Sequence, residues 1–62
     1  MYEIAYMENG TMIRGGIKAS KVRVNRWVRI NSHKDPEHTY FAVEADENAI
    51  SYEEWRKEVF GN

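Results

Sequence analysis

Apolar and polar residues alternate from the start of the chain. Tyr2, Ile4 and Tyr6 are separated by Glu3 and Ala5, and beyond Asn9-Gly10 apolar residues return at Ile13 and Ile17. A period of two is the signature of a half-buried strand. Asn-Gly is the favoured pair for a two-residue type I′ loop, because both central positions need positive φ. That turn pairs Glu8 with Thr11, Tyr6 with Ile13, Ile4 with Gly15 and Tyr2 with Ile17. Tyr2, Ile4, Tyr6, Ile13 and Ile17 then share one face, and Glu3, Ala5, Met7, Met12 and Arg14 the other. Gly15-Gly16 predicts a bulge or bend in the second strand.

The same period recurs over residues 21–30. Val22, Val24, Val28 and Ile30 fall on one face, interrupted by Arg26, while Lys21, Arg23, Asn25, Trp27 and Arg29 fall on the other. The pattern predicts a β-branched, basic strand that exposes Trp27. Residues 31–39 read as a polar loop around Pro36, and Tyr40 to Ala45 as a strand with Phe41 and Val43 toward the core. Asp46-Glu47-Asn48 is a turn. Ser51 and Glu54 have the spacing of a helix capping box, with Ile50 and Trp55 as a hydrophobic staple. Gly61 stands where a helix stops. The apolar stripe of this helix, Tyr52, Trp55 and Val59 with Phe60 beside it, must dock on a sheet, because about nine residues of helix do not hold alone in water. The predicted fold class is therefore α+β. One domain over residues 1–62 has a small antiparallel sheet of three to four strands, built from the N-terminal hairpin, and one C-terminal helix packed on it.

Composition sharpens this picture. Eight aromatic residues and 42% hydrophobic content mark a folded chain. With 62 residues the core is thin, and without cysteine neither a disulfide nor a thiolate zinc site can reinforce it. No apolar run reaches the roughly 20 residues of a membrane span. The N-terminus lacks the basic start and apolar stretch of a signal peptide. These features together read as a complete cytoplasmic protein that does not engage a membrane.

The net charge of −1 hides a marked asymmetry. Residues 14–34 hold seven cations and no acid, whereas residues 35–62 hold eight acids against Arg56 and Lys57. Such polarity either directs a partner or is neutralised within the fold. No activated nucleophile stands beside a base, so no enzyme is expected. His33 and His38 with Asp35 and Glu37 are acceptable metal ligands, but their spacing matches no known metal loop, and no metal or other cofactor is expected. The sharpest feature is the basic strand. Arg14, Lys18, Lys21, Arg23, Trp27 and Arg29 make up the candidate binding surface: an indole flanked by cations can stack on a base while the cations meet phosphates. The same side chains can anchor a protein interface, or Trp27 can cover the second side of a thin sheet. Two functions follow. One is a small non-enzymatic regulatory module that binds a polyanionic surface, most readily nucleic acid. The other is an inhibitor or adaptor of the phage or mobile-element type, which blocks a host protein such as a nucleic-acid-processing enzyme. Self-association is also open, since exposed sheet edges invite pairing.

Overall fold

The computed structural model describes residues 1–61. Its elements are β1 (Tyr2–Glu8), β2 (Thr11–Arg14), β3 (Ile17–Lys18), α1 (Lys21–Lys34), β4 (Tyr40–Glu44), β5 (Ile50–Ser51) and α2 (Tyr52–Phe60). The fold is α+β. A three-stranded antiparallel sheet has the order β2-β1-β4, β3 and β5 form a short parallel pair, and the second of two helices lies at the C-terminus.

The hairpin has the register that its turn demands. Tyr6 stands opposite Ile13 and Glu8 opposite Thr11, with Asn9 and Gly10 at φ 51° and 79°. At its far end the pairing shifts. Tyr2 exchanges both backbone hydrogen bonds with Ala19, each 2.8 Å, and not with Ile17, because the Gly15-Gly16 bend inserts two residues. Gly15 is required there: a Cβ at this position would come within 2.8 Å of the Ile4 side chain.

The main correction concerns residues 21–34. They form a 14-residue helix, not a basic strand. Ser20 caps it, its hydroxyl accepting from the Arg23 amide, and His33 and Lys34 occupy the last turn, where cations suit the helix dipole. Packing explains why helix wins over the β-branched composition. Val24, Trp27, Val28 and Asn31 follow a helical i, i+3, i+4, i+7 spacing and are all buried or half-buried, with Val24 fully so. The period-two set is split by the helix: Val24 is 0% exposed, but Val22 is 73% exposed.

α1 lies across one face of the sheet. The Lys21 ammonium is 5.5 Å from the Tyr2 ring centroid, Trp27 and Ile4 line a common groove, and the Tyr40 hydroxyl reaches Asp35 just beyond the helix. Directly opposed residues share a face, so Tyr2, Ile4, Tyr6, Tyr40 and Ala42 lie beneath α1. Phe41 and Val43, opposite Ala5 and Glu3, therefore point away from both helices. This reverses the expectation that they face the core, for the same reason: the layer above the sheet is α1. α2 starts as the sequence predicts, with Ser51 accepting from the Glu54 amide at 3.2 Å, and stops at Gly61 with φ 63°. It buries no residue fully, so Trp55 is a half-buried wall of a groove and not a deep anchor.

Candidate functional site

The six side chains assigned from sequence to one binding surface, Lys21, Arg23, Trp27 and Arg29 of them to one strand face, are dispersed by the fold. Arg14 is committed elsewhere: its Nη1 donates to Glu3 Oε2 at 2.7 Å and to the Glu44 carbonyl at 3.1 Å. Lys18 is half-buried in the β3–β5 pair. Lys21 and Arg23 stand in the first turn of α1, and Arg29 lies two turns further along. Trp27 is half-buried on the flank that faces α2. The cause is the period: residues at i and i+2 share a face of a strand but stand about 200° apart on a helix.

A different set comes together. The residues of α1 exposed to solvent are Lys21, Val22, Asn25, Arg26, Arg29, Ile30, His33 and Lys34. Val22, Arg26, Arg29 and His33 are three or four apart and run as one stripe opposite Val24. Arg26, a flaw in the strand pattern, is at the centre of this stripe. The helix contains no acid. Lys21 and Arg23 sit at its positive dipole end, which costs a few tenths of a kcal/mol each. An anion bound there would remove that cost.

A separate feature, on the flank of α1 that faces α2 and about 100° round the helix from Arg26, is an aromatic groove of about 380 Å³, lined by Ile4, Gly15, Ile17, Trp27, Asn31, Tyr52, Trp55 and Phe60. Ring centroids are 5.7 Å apart for Trp27–Tyr52, 5.9 Å for Tyr52–Trp55 and 6.1 Å for Trp55–Phe60. Cations cover the rings: the Arg23 guanidinium is 4.0 Å from the Tyr52 centroid and that of Arg56 is 5.9 Å from the Phe60 centroid. Among the described residues, no acidic side chain lines the groove. At about 100° per residue, Glu54 and Glu58 of α2 turn away from the Tyr52, Trp55 and Val59 stripe. The groove escaped the sequence reading because one of its walls, Trp27 and Asn31, belongs to α1, whose inward flank becomes visible only with a helical period.

Two polar clusters brace the surroundings. Glu3 is fully buried and accepts from the amides of Gly16 (2.9 Å) and Asp46 (2.8 Å) besides Arg14. Burial raises its pKa, but the Asp46 and Gly16 amides and the Arg14 guanidinium together outweigh burial and hold the carboxyl below the usual range. At the hairpin tip, His38 Nδ1 lies 2.7 Å from Asp35 Oδ2 and Nε2 lies 3.3 Å from Glu8 Oε2, while the Tyr40 hydroxyl donates to Asp35 at 2.9 Å. The hydrogen bond to Asp35 raises the His38 pKa. The Tyr40 hydroxyl, and then His38, lower that of Asp35. His33 is on the exposed last turn of α1, so the stretch from His33 to His38 does not act as one unit.

No family model matches the chain, nor does any curated protein or solved structure. Among the described residues, no helix is long and apolar enough to cross a membrane.

Proposed function

We propose that the protein is a non-enzymatic binding module for nucleic acid, which it engages through the outward face of α1 and the aromatic groove on the helix's flank toward α2. The observation that carries this reading is the acid-free helix, which presents Lys21, Arg26, Arg29 and Lys34 to solvent. Phosphates supply most of the affinity of such a surface and set its salt dependence. The neighbouring rings add a second element. An unpaired base stacks on an aromatic face, with about 1–3 kcal/mol per base lost on alanine substitution. Single strands offer such bases and duplexes do not, so the combination favours single strands or frayed ends.

The mechanism is occupancy. The helix covers a stretch of phosphates, and the protein blocks or recruits whatever else acts there. Titration of a labelled single strand and a labelled duplex at two salt concentrations tests the reading. Tighter binding to the single strand, weakened by salt, is expected, and Trp27→Ala should cost about 1–3 kcal/mol of that affinity. Absence of binding to either at low salt overturns it and leaves the inhibitor or adaptor reading, in which the groove takes a protein side chain.

A further inference from the structure

Three side chains lie in a row along the flank of α1 that faces α2. Arg23, Trp27 and Asn31 are four residues apart, so each stands about 6 Å beyond the last and only about 40° round the helix. All three are half-buried. The row presents a guanidinium, an indole and a carboxamide in that order.

Each has binding capacity to spare. The Arg23 guanidinium lies 4.0 Å from the Tyr52 ring centroid. Among the described residues no carboxylate pairs with it, although Glu53 borders the same hollow. A half-buried cation without a counter-ion is stabilised by an incoming anion. Trp27 and Asn31 both line the aromatic groove. Asn31 Nδ2 donates to the Trp27 carbonyl at 2.8 Å, which fixes the direction of the amide. Its second N–H and its Oδ1 have no partner among the described residues, and Oδ1 is reached by solvent.

We propose that this row holds one nucleotide of a bound strand. The base enters the groove against Trp27, its hydrogen-bonding edge meets the Asn31 amide, and its phosphate meets Arg23. The assignment rests on the nucleic-acid reading above and adds to it the place where a base is held and the group that reads its edge. An amide offers an acceptor and a donor side by side. A matching base edge offers the reverse pair, as adenine does with its N6 amine and N7. The groove volume of about 380 Å³ lies within the roughly 300–1,000 Å³ of small-molecule sites. The guanidinium groups of Arg23 and Arg56 beside the rings disfavour a cationic occupant. An apolar side chain would leave the Asn31 hydrogen bonds unmade.

Nitrogen-15 NMR of the full chain, titrated with adenosine 5′-monophosphate, tests the proposal on the Asn31 side-chain amide and the Trp27 indole N–H. Both signals should move together and saturate. Adenosine, which lacks the phosphate, should bind roughly tenfold more weakly, and Arg23→Gln should abolish that difference. The N6,N6-dimethyl nucleotide, which lacks the amine donors, should bind roughly three- to tenfold more weakly than its parent. Asn31→Leu should abolish this second difference, and Asn31→Ser serves if that variant does not fold. Arg26→Ala should weaken binding of a labelled oligoadenylate and leave the mononucleotide affinity unchanged, so the α1 surface and the base site are read separately. Signals unmoved by the mononucleotide overturn the proposal. So does discrimination against the dimethyl analogue that is absent in the parent chain or survives the loss of the Asn31 amide. Strand binding that persists alongside either result leaves the α1 surface in place without this base site.

Discussion

Glu3 shows how a single residue can tie distant segments together. Its carboxylate is fully buried and collects three donors, from Arg14, Gly16 and Asp46. Part of this was legible in the sequence, because the hairpin register puts Glu3 and Arg14 on one face of neighbouring strands. The Asp46 amide, 43 residues away, was not, since no local pattern encodes so distant a contact. Glu3→Ala leaves the Gly16 and Asp46 amides without this acceptor and Arg14 with only the Glu44 carbonyl, and should cost about 2–4 kcal/mol, read by chemical denaturation. His38 gives a pH signature. Its pKa is raised in the folded state, so its contribution is complete below about 6.5, the ordinary value, and is lost as pH rises through the folded value. Asp35 is lowered, so its contribution holds above about 3.9 and is lost as pH falls through its own folded value. The hairpin-tip cluster should therefore stabilise most between about pH 4 and 6.5. Denaturation midpoints measured from that range upward should decline as pH rises through the raised His38 value, and His38→Asn should flatten the decline.

At the scale of elements, the hairpin, β4 and α2 were legible and α1 was not. Asn9-Gly10 fixes two positive φ values, and Ser51 with Gly61 brackets a helix, so local chemistry and structure agree there. Residues 21–34 carry competing signals. Four β-branched residues fit a period of two, yet Ser20, the cations of the last turn and Pro36 mark the ends of a helix. The N-terminal signal was muted, because Arg23 stands where a capping box has Glu or Gln. Packing of Val24, Trp27 and Val28 on the sheet decides the outcome. A pair of substitutions discriminates between the two readings, because a strand puts Val22 and Val24 on the same face. Val24→Ala should cost about 2 kcal/mol and Val22→Ala less than about 0.5 kcal/mol. Equal losses would contradict the helix. Ser51→Ala should cost about 1 kcal/mol. Trp55→Ala, which removes a half-buried ring, should cost about 1–2 kcal/mol, less than the 3 kcal/mol or more typical of a fully buried indole.

Across the whole molecule, the cations of residues 14–34 do not act as one set: the outward face of α1 presents Lys21, Arg26, Arg29 and Lys34 with the exposed Val22 and Ile30 among them, and the aromatic groove opens on the flank toward α2. The sequence disclosed the charge asymmetry and the role of residues 14–34 as its source, but not which cations act together. Arg14 is withdrawn by Glu3 and Lys18 by β3, while Arg26 moves to the centre of the surface. Arg26 is therefore the residue on which the helical surface stands or falls. The direct measurement is the salt dependence of affinity for a labelled single strand, compared between the parent chain and Arg26→Ala. The log–log slope should be about −0.7 per phosphate contact, and the substitution should weaken binding and flatten the slope by about that amount. A slope and affinity unchanged by Arg26→Ala, in a variant that remains folded, would contradict a nucleic-acid surface on α1.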